Sequence, residues 1–184
     1  MHVFEFYRKR TMNFVDCTEQ RHAGAILAIL NEAIVNSTAL YDYHPRPPEA
    51  MLGWFATKRQ NGFPVIGIED GDGVLLAFAS YGTFRAFPAF KYAVEHSIYV
   101  RHDQRGAGLG HLLLERLIGV ARGHGVHTLI GGIDMDNPGS IALHTRFGFE
   151  HAGTIRQAGF KFGRWLDLGF YQLLLETPLA PVDG

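Results

Sequence analysis

With 184 residues, 47% of them hydrophobic and 19% charged, and a formal net charge of −1, the chain reads as one soluble globular domain able to bury a sizeable core. The near-neutral balance gives no general electrostatic case for nucleic acid or a membrane surface, and no apolar run is long enough to span a bilayer. A single cysteine, Cys17, excludes an internal disulfide framework and suits a reducing cytoplasm.

Residues 1–11 mix aromatic and basic side chains without the apolar segment of a secretory signal and read as an N-terminal extension, with Met12 an alternative start. A first strand is expected from Asn13 to Cys17, followed by a helix with Thr18 as N-cap and Glu19 in its first turn, running to about Val35. Pro48 and Glu49 open a second helix towards Gln60. The apolar runs Pro64 to Glu69 and Val74 to Phe84 flank Asp70-Gly71-Asp72-Gly73, a hairpin signal. Phe84 to Tyr92 then mixes four aromatic rings with Arg85 and Lys91, as a cover for a small anionic substrate or as core packing. Single-stranded nucleic acid is the disfavoured alternative, because no wider basic surplus exists.

Ala93 to Val100 alternates, with Val94, His96, Ile98 and Val100 on one face and Glu95, Ser97 and Tyr99 on the other. Arg105-Gly106-Ala107-Gly108-Leu109-Gly110 follows, and Leu109, Leu112, Leu113, Leu117 and Val120 then recur at helical spacing. Glycines where a helix begins let a pyrophosphate approach unpaired N–H groups, although a purely structural turn has the same local pattern. A dinucleotide-binding GxGxxG fails because position 111 is His111, and no Gly-Lys-Ser or Gly-Lys-Thr completes a Walker A loop. A buried strand from His127 to Ile133 comes next. Asn137 and Pro138 then start a short helix, Gly139 to Phe147, which Gly148 ends. Two strands close the chain, about Glu150 to Phe162 and Leu166 to Glu176, joined near Gly163-Arg164-Trp165, with residues 179–184 as a tail.

The R-x-x-G-x-G from Arg105 to Gly110, after Ile98-Tyr99-Val100, resembles the pyrophosphate loop of the GCN5-related N-acetyltransferases, the GNAT superfamily. The order of elements is similar too. The resemblance implies an α/β (α+β) GNAT fold, a mixed central sheet of about seven strands flanked by about four helices. Asn137 to Phe149 also resembles a superfamily helix, with His144 where a tyrosine is more usual. Glu32 to Thr38, Val94 to Val100 and Gly153 to Gln172 together look like the phosphinothricin and methionine sulfoximine N-acetyltransferases, over roughly Asn13 to Pro178.

That resemblance implies acetyl-CoA as donor and the α-amine of a small amino acid with a tetrahedral head as acceptor. It implies Glu95 as the base that takes the amine proton, the alternative being that Glu95 only pairs with Arg85 or Lys91. It implies CoA contacts at Ile98, Tyr99 and Val100, at Arg105, Gly106, Ala107, Gly108, Leu109, Gly110 and His111, and at Asn137. An oxyanion-binding N–H is expected after a strand bulge near Tyr99, and His144 as proton source or relay for the leaving thiolate. Acceptor contacts are implied at Arg85, Ala86 and Phe87 and at Glu95, His96 and Ser97, with Phe84 and Tyr92 shaping the pocket. A homodimer is also implied, in which Lys161, Arg164 or Trp165 of one subunit approaches the other's pocket.

No metal is expected, since His124-x-x-His127 and the other histidines lack ligand spacing and the acyl group travels on CoA. Two alternatives stay open: a GNAT enzyme for a polyamine, aminoglycoside or protein N-terminus, and a CoA-binding regulatory module without turnover. The basic Phe84 to Tyr92 segment argues against cationic acceptors, and the presence of both Glu95 and His144 argues against the second.

Overall fold

Alternating and helical patterns of apolar residues sort this chain into strands and helices that share one sheet. The computed structural model describes residues 12–183; the N-terminal extension and the choice between Met1 and Met12 as start lie outside or at the edge of the described residues. The strands are β1 (Asn13–Asp16), β2 (Val65–Glu69), β3 (Leu75–Thr83), β4 (Ala93–Val100), β5 (Thr128–Asp134), β6 (Glu150–Lys161) and β7 (Arg164–Leu174). The helices are α1 (Glu19–Asn36), α2 (Ala50–Gln60), α3 (Leu109–Gly123) and α4 (Pro138–Arg146). The seven strands form one mixed sheet in the order β1-β2-β3-β4-β5-β7-β6, and only β4 and β5 pair in parallel.

Two apolar layers cover the sheet. On one face α3 buries Leu109, Leu113, Leu114, Leu117, Ile118 and Ala121 against Val94, Leu129 and Ile133. Each of these leucines, removed from water, contributes about 1.5–3 kcal/mol. On the other face Ile26, Ile29 and Leu30 of α1 meet Met51 and Phe55 of α2 over Phe78. β3 is buried along most of its length because both layers lean on it.

Local chemistry explains the boundaries. At the β2–β3 hairpin Asp70 Oδ1 accepts from the N–H groups of Asp72 and Val74, both at 3.0 Å. Thr18 is the N-cap position of α1, yet its side chain makes no capping bond; instead its N–H donates to His22 Nδ1 at 2.8 Å. Asn137 caps α4 through Oδ1, which accepts from Ser140 N–H at 3.0 Å, with Pro138 behind it. The last hairpin is tighter than expected. Phe162 (φ 50°) and Gly163 (φ 74°) make a two-residue turn, so Arg164 and Trp165 already belong to β7 rather than to a loop.

Candidate active site

The start of α3 leaves backbone donors free. Gly106 and Gly108 take φ of 81° and 80°, a region that disfavours side chains, and a Cβ at either would meet only open space. Gly108 is the N-cap, with no side-chain cap and no acidic residue in the first turn. His111 and Leu112 donate to Gly108 O, while the N–H groups of Leu109 and Gly110 have no protein acceptor among the described residues. An uncapped helix start with free donors and a positive dipole end suits a pyrophosphate. The Leu109 side chain is buried, leaving only its backbone to offer, and the His111 ring packs on Phe147 at 4.6 Å. Arg105 is partly committed, its Nη2 lying 2.6 Å from Glu32 Oε2 on α1.

A second opening lies between β4 and β5. Their parallel ladder holds only from Ala93↔Thr128 to Glu95↔Ile130, while β4 continues to Val100 and β5 to Asp134. β3 pairs with β4 without interruption from Thr83↔Val94 to Ala77↔Val100, and Arg101 N–H donates to Leu76 O. The bulge expected near Tyr99 is therefore absent from this ladder. Because antiparallel residues alternate in the neighbour they bond, Tyr99 and Ser97 are bonded to β3, His96 N–H closes the last step of the β4–β5 ladder, and the main-chain groups of Ile98 and Val100 face the opening.

Two successive glycines of β5 make room on either side of the sheet. At Gly132 a Cβ would stand 2.9 Å from Glu95 Oε1, so the glycine lets this carboxylate lie against the strand. Partial burial raises the Glu95 pKa, and the Arg85 charge opposes that shift. The two do not form an ion pair; Arg85 sits over the Phe84 ring at 5.2 Å. Phe84 in turn meets Phe170 edge-on at 6.2 Å, and Phe170 is the β7 neighbour of Gly132. Tyr99 packs on Phe78, and burial pushes its hydroxyl up to about 12, so it stays protonated at neutral pH.

On the other face Gly131 accommodates two buried imidazoles. His96 Nε2 lies 2.9 Å from His144 Nε2, and His144 Nδ1 lies 2.7 Å from Ser140 O. A carbonyl only accepts, so this network assigns the proton to His144 Nδ1; Nε2 then accepts from His96 Nε2–H. His96 Nδ1 is left buried without a partner. Burial and then the neighbouring His144 push His96 down to about 3, and burial lowers His144. The pair is neutral.

The sequence model of the Acetyltransferase (GNAT) family matches residues 16–149. The chain belongs to the GNAT acetyltransferase family. It is 48% identical over 157 residues to the L-methionine sulfoximine/L-methionine sulfone acetyltransferase of Pseudomonas aeruginosa, covering 85% of this chain and 91% of the relative. To the phosphinothricin N-acetyltransferase of Streptomyces viridochromogenes it is 31% identical over 158 residues, covering 86% and 85%. A crystal structure of a GNAT superfamily phosphinothricin acetyltransferase from Sinorhizobium meliloti, in complex with acetyl-CoA, superposes with a TM-score of 0.87 at 34% identity, over 93% of this chain and 92% of that one.

Of the residues singled out from the sequence, Glu95 stands at the last paired step of β4 and β5 with the Arg85 charge acting on it, the open edge of β4 runs on from there to Val100, and the α3 start follows at Leu109. Ala86 and Phe87 lie exposed beyond Arg85. Asn137 spends its side-chain oxygen on capping. His96 projects away from Glu95 and Ser97, to the buried face. Tyr92 turns outward, its hydroxyl accepting from Val182 N–H at 3.1 Å. Lys161 and Arg164 are held within their own chain, the first by three carbonyls and the second by Asp134 and Asp136. Sequence reasoning missed the Gly131-Gly132 pair and the loop after α1, where Arg46 pairs with Asp42 and both bear electrostatically on Tyr99. A Gly-Gly inside an otherwise apolar strand was the available signal. Among the described residues no group of three or more His, Cys, Asp or Glu is placed to hold a metal, and no helix is long and apolar enough to cross a membrane.

Proposed function

We propose that the protein transfers an acetyl group from acetyl-CoA to the α-amine of L-methionine sulfoximine, L-methionine sulfone or an L-phosphinothricin-like amino acid. The observation that carries this is Glu95, a carboxylate with raised pKa, standing where β4 and β5 part and under the charge of Arg85. The named activities of the relatives at 48% and 31% identity support the acceptor class. Acetyl-CoA supplies the activated acyl group when bound, and the free donors of Leu109 and Gly110 fit its pyrophosphate. Glu95 accepts the amine proton, directly or through water, and its raised pKa brings it closer to that task. The open amides of Ile98 and Val100 take the place of a bulge amide at Tyr99 as donors to the charge that develops on the carbonyl oxygen. Arg85 binds the acceptor's carboxylate or tetrahedral head. The leaving thiolate is protonated with the proton that Glu95 takes from the amine, directly or through water, because the neutral His144 holds its proton on Nδ1 towards Ser140 O and has none to give at Nε2.

Detoxification of such amino acids in the cytoplasm is the role this activity fits. The same reading includes a homodimer. Phe160, Phe162 and Trp165 of the β6–β7 hairpin are 46%, 58% and 59% exposed, an apolar surface for a second copy; light scattering at micromolar concentration tests it. With Lys161 and Arg164 engaged internally, Trp165 is the side chain left to approach a partner's pocket.

The deciding experiment is release of CoA thiol from acetyl-CoA with the three amino acids, against polyamine, aminoglycoside and peptide controls. Saturable turnover confined to the amino acids is expected. Acetyl-CoA binding without turnover of any of them would discard the acceptor assignment.

A further inference from the structure

The Lys161 ammonium, 5% exposed, is anchored far from its sequence neighbours. Its three protons go to Ile34 O at 2.6 Å, Ser37 O at 2.9 Å and Leu40 O at 2.6 Å. These carbonyls end α1 and begin the loop that leads to α2. No basic residue lies in the last turn of α1, so a cation from β6 complements its C-terminal dipole. The same loop is fastened at further points. Thr38 Oγ1 donates to the buried Asp134 carboxylate at the end of β5, and Tyr43 OH donates to Phe160 O at 2.8 Å. The Arg46 N–H and C=O are bracketed by the Asn31 amide at 2.7 and 3.0 Å.

So held, the loop lies over the Glu95 face of the sheet. Asp134 is on that face two residues beyond Gly132, and Asp42 and Arg46 act on Tyr99 of β4. We propose that Lys161 is a positioning residue for the acceptor site: by satisfying three carbonyls at once it fixes the α1–α2 loop over the face where the amino acid enters. The acetyl-CoA elements, α3 and the open edge of β4, do not contact this ammonium. The inference rests on the reading that the acceptor binds on the Glu95 face.

The test compares wild type with Lys161→Met, which keeps the aliphatic stem and removes the charge. Amide hydrogen exchange is followed across residues 37–46, with KM for L-methionine sulfoximine and for acetyl-CoA. Exchange in the loop should rise at least about tenfold and the acceptor KM should rise on the order of tenfold, with the acetyl-CoA KM within about twofold of wild type. Unchanged loop exchange overturns the clasp. Faster loop exchange with equal changes in both KM values, or with neither changed, overturns the positioning role. Should Lys161→Met lose protection in β3 and α3 as well, Tyr43→Phe decides: it removes one exposed hydroxyl from the same loop and should give a smaller shift with the same split, whereas none in either readout overturns the proposal. If wild type itself leaves methionine sulfoximine untouched, the acceptor assignment fails by itself, and loop exchange still decides the clasp.

Discussion

Glu95 and His96 are adjacent on β4 and project to opposite faces of one sheet, and the same physical effect acts on both with opposite outcomes. Loss of water disfavours the charged form of each, lifting the carboxyl of Glu95 and pushing the imidazole of His96 down to about 3. On the Glu95 side the face is open and a cation, Arg85, limits the shift. On the His96 side it is dry, and a second imidazole adds to it. One side keeps a group able to exchange protons with a substrate, and the other keeps a neutral pair whose geometry is fixed by packing.

The sharpest way to separate the two faces is Glu95→Gln, expected to lower kcat by about 10²–10⁴-fold while acetyl-CoA affinity, measured by calorimetry, stays near wild type. Near-normal turnover across pH would remove Glu95 from the base role. Next come the two glycines. Gly132→Ala puts a Cβ 2.9 Å from Glu95 Oε1, the movable end of a side chain, and should cost roughly ten- to a hundredfold in kcat with little change in Tm. Gly131→Ala puts one 3.1 Å from His96 Cε1 and 3.2 Å from His144 Nε2, in rings that cannot retreat, and should cost about 1–3 kcal/mol of stability. Matching losses of stability for both would erase the distinction.

Arg85→Ala should raise the acceptor KM about tenfold and leave the acetyl-CoA KM unchanged. It also removes the cation that lowers the Glu95 pKa, so the acid limb of kcat/KM, which requires ionised Glu95, moves to higher pH. A limb that stays in place or moves down separates Arg85 from Glu95. The last contrast belongs to the His pair. The unfolded state protonates His96 near 6.5 and the folded state only near 3, so stability falls as pH drops from 6.5 towards 3, by at most about 1.4 kcal/mol per pH unit from this group. Urea titrations of wild type and His96→Phe between pH 7 and 4 measure it; equal slopes would remove His96 as the source.

Much of this arrangement was legible from pattern. Period-2 alternation placed Glu95 and His96 on opposite faces, and the glycines before a leucine-spaced helix marked the uncapped start of α3. The pairing of His144 with His96 was not legible, because His96 and Gly131 reach it from β4 and β5. Nor was the commitment of Lys161, since a lysine near a hairpin turn reads as surface until the end of α1 is brought against it.

The sequence by itself determined the element order, the family, the uncapped start of α3 and the polar face of β4, since each depends on local propensity or on spacing within one element. Only the tertiary structure decided where β4 and β5 part, which amides of β4 are left open, how two imidazoles come to share one buried bond, and which cation closes α1. Those features arise where separate elements meet, and burial, hydrogen-bond alternation and charge there depend on neighbours that are distant in the chain.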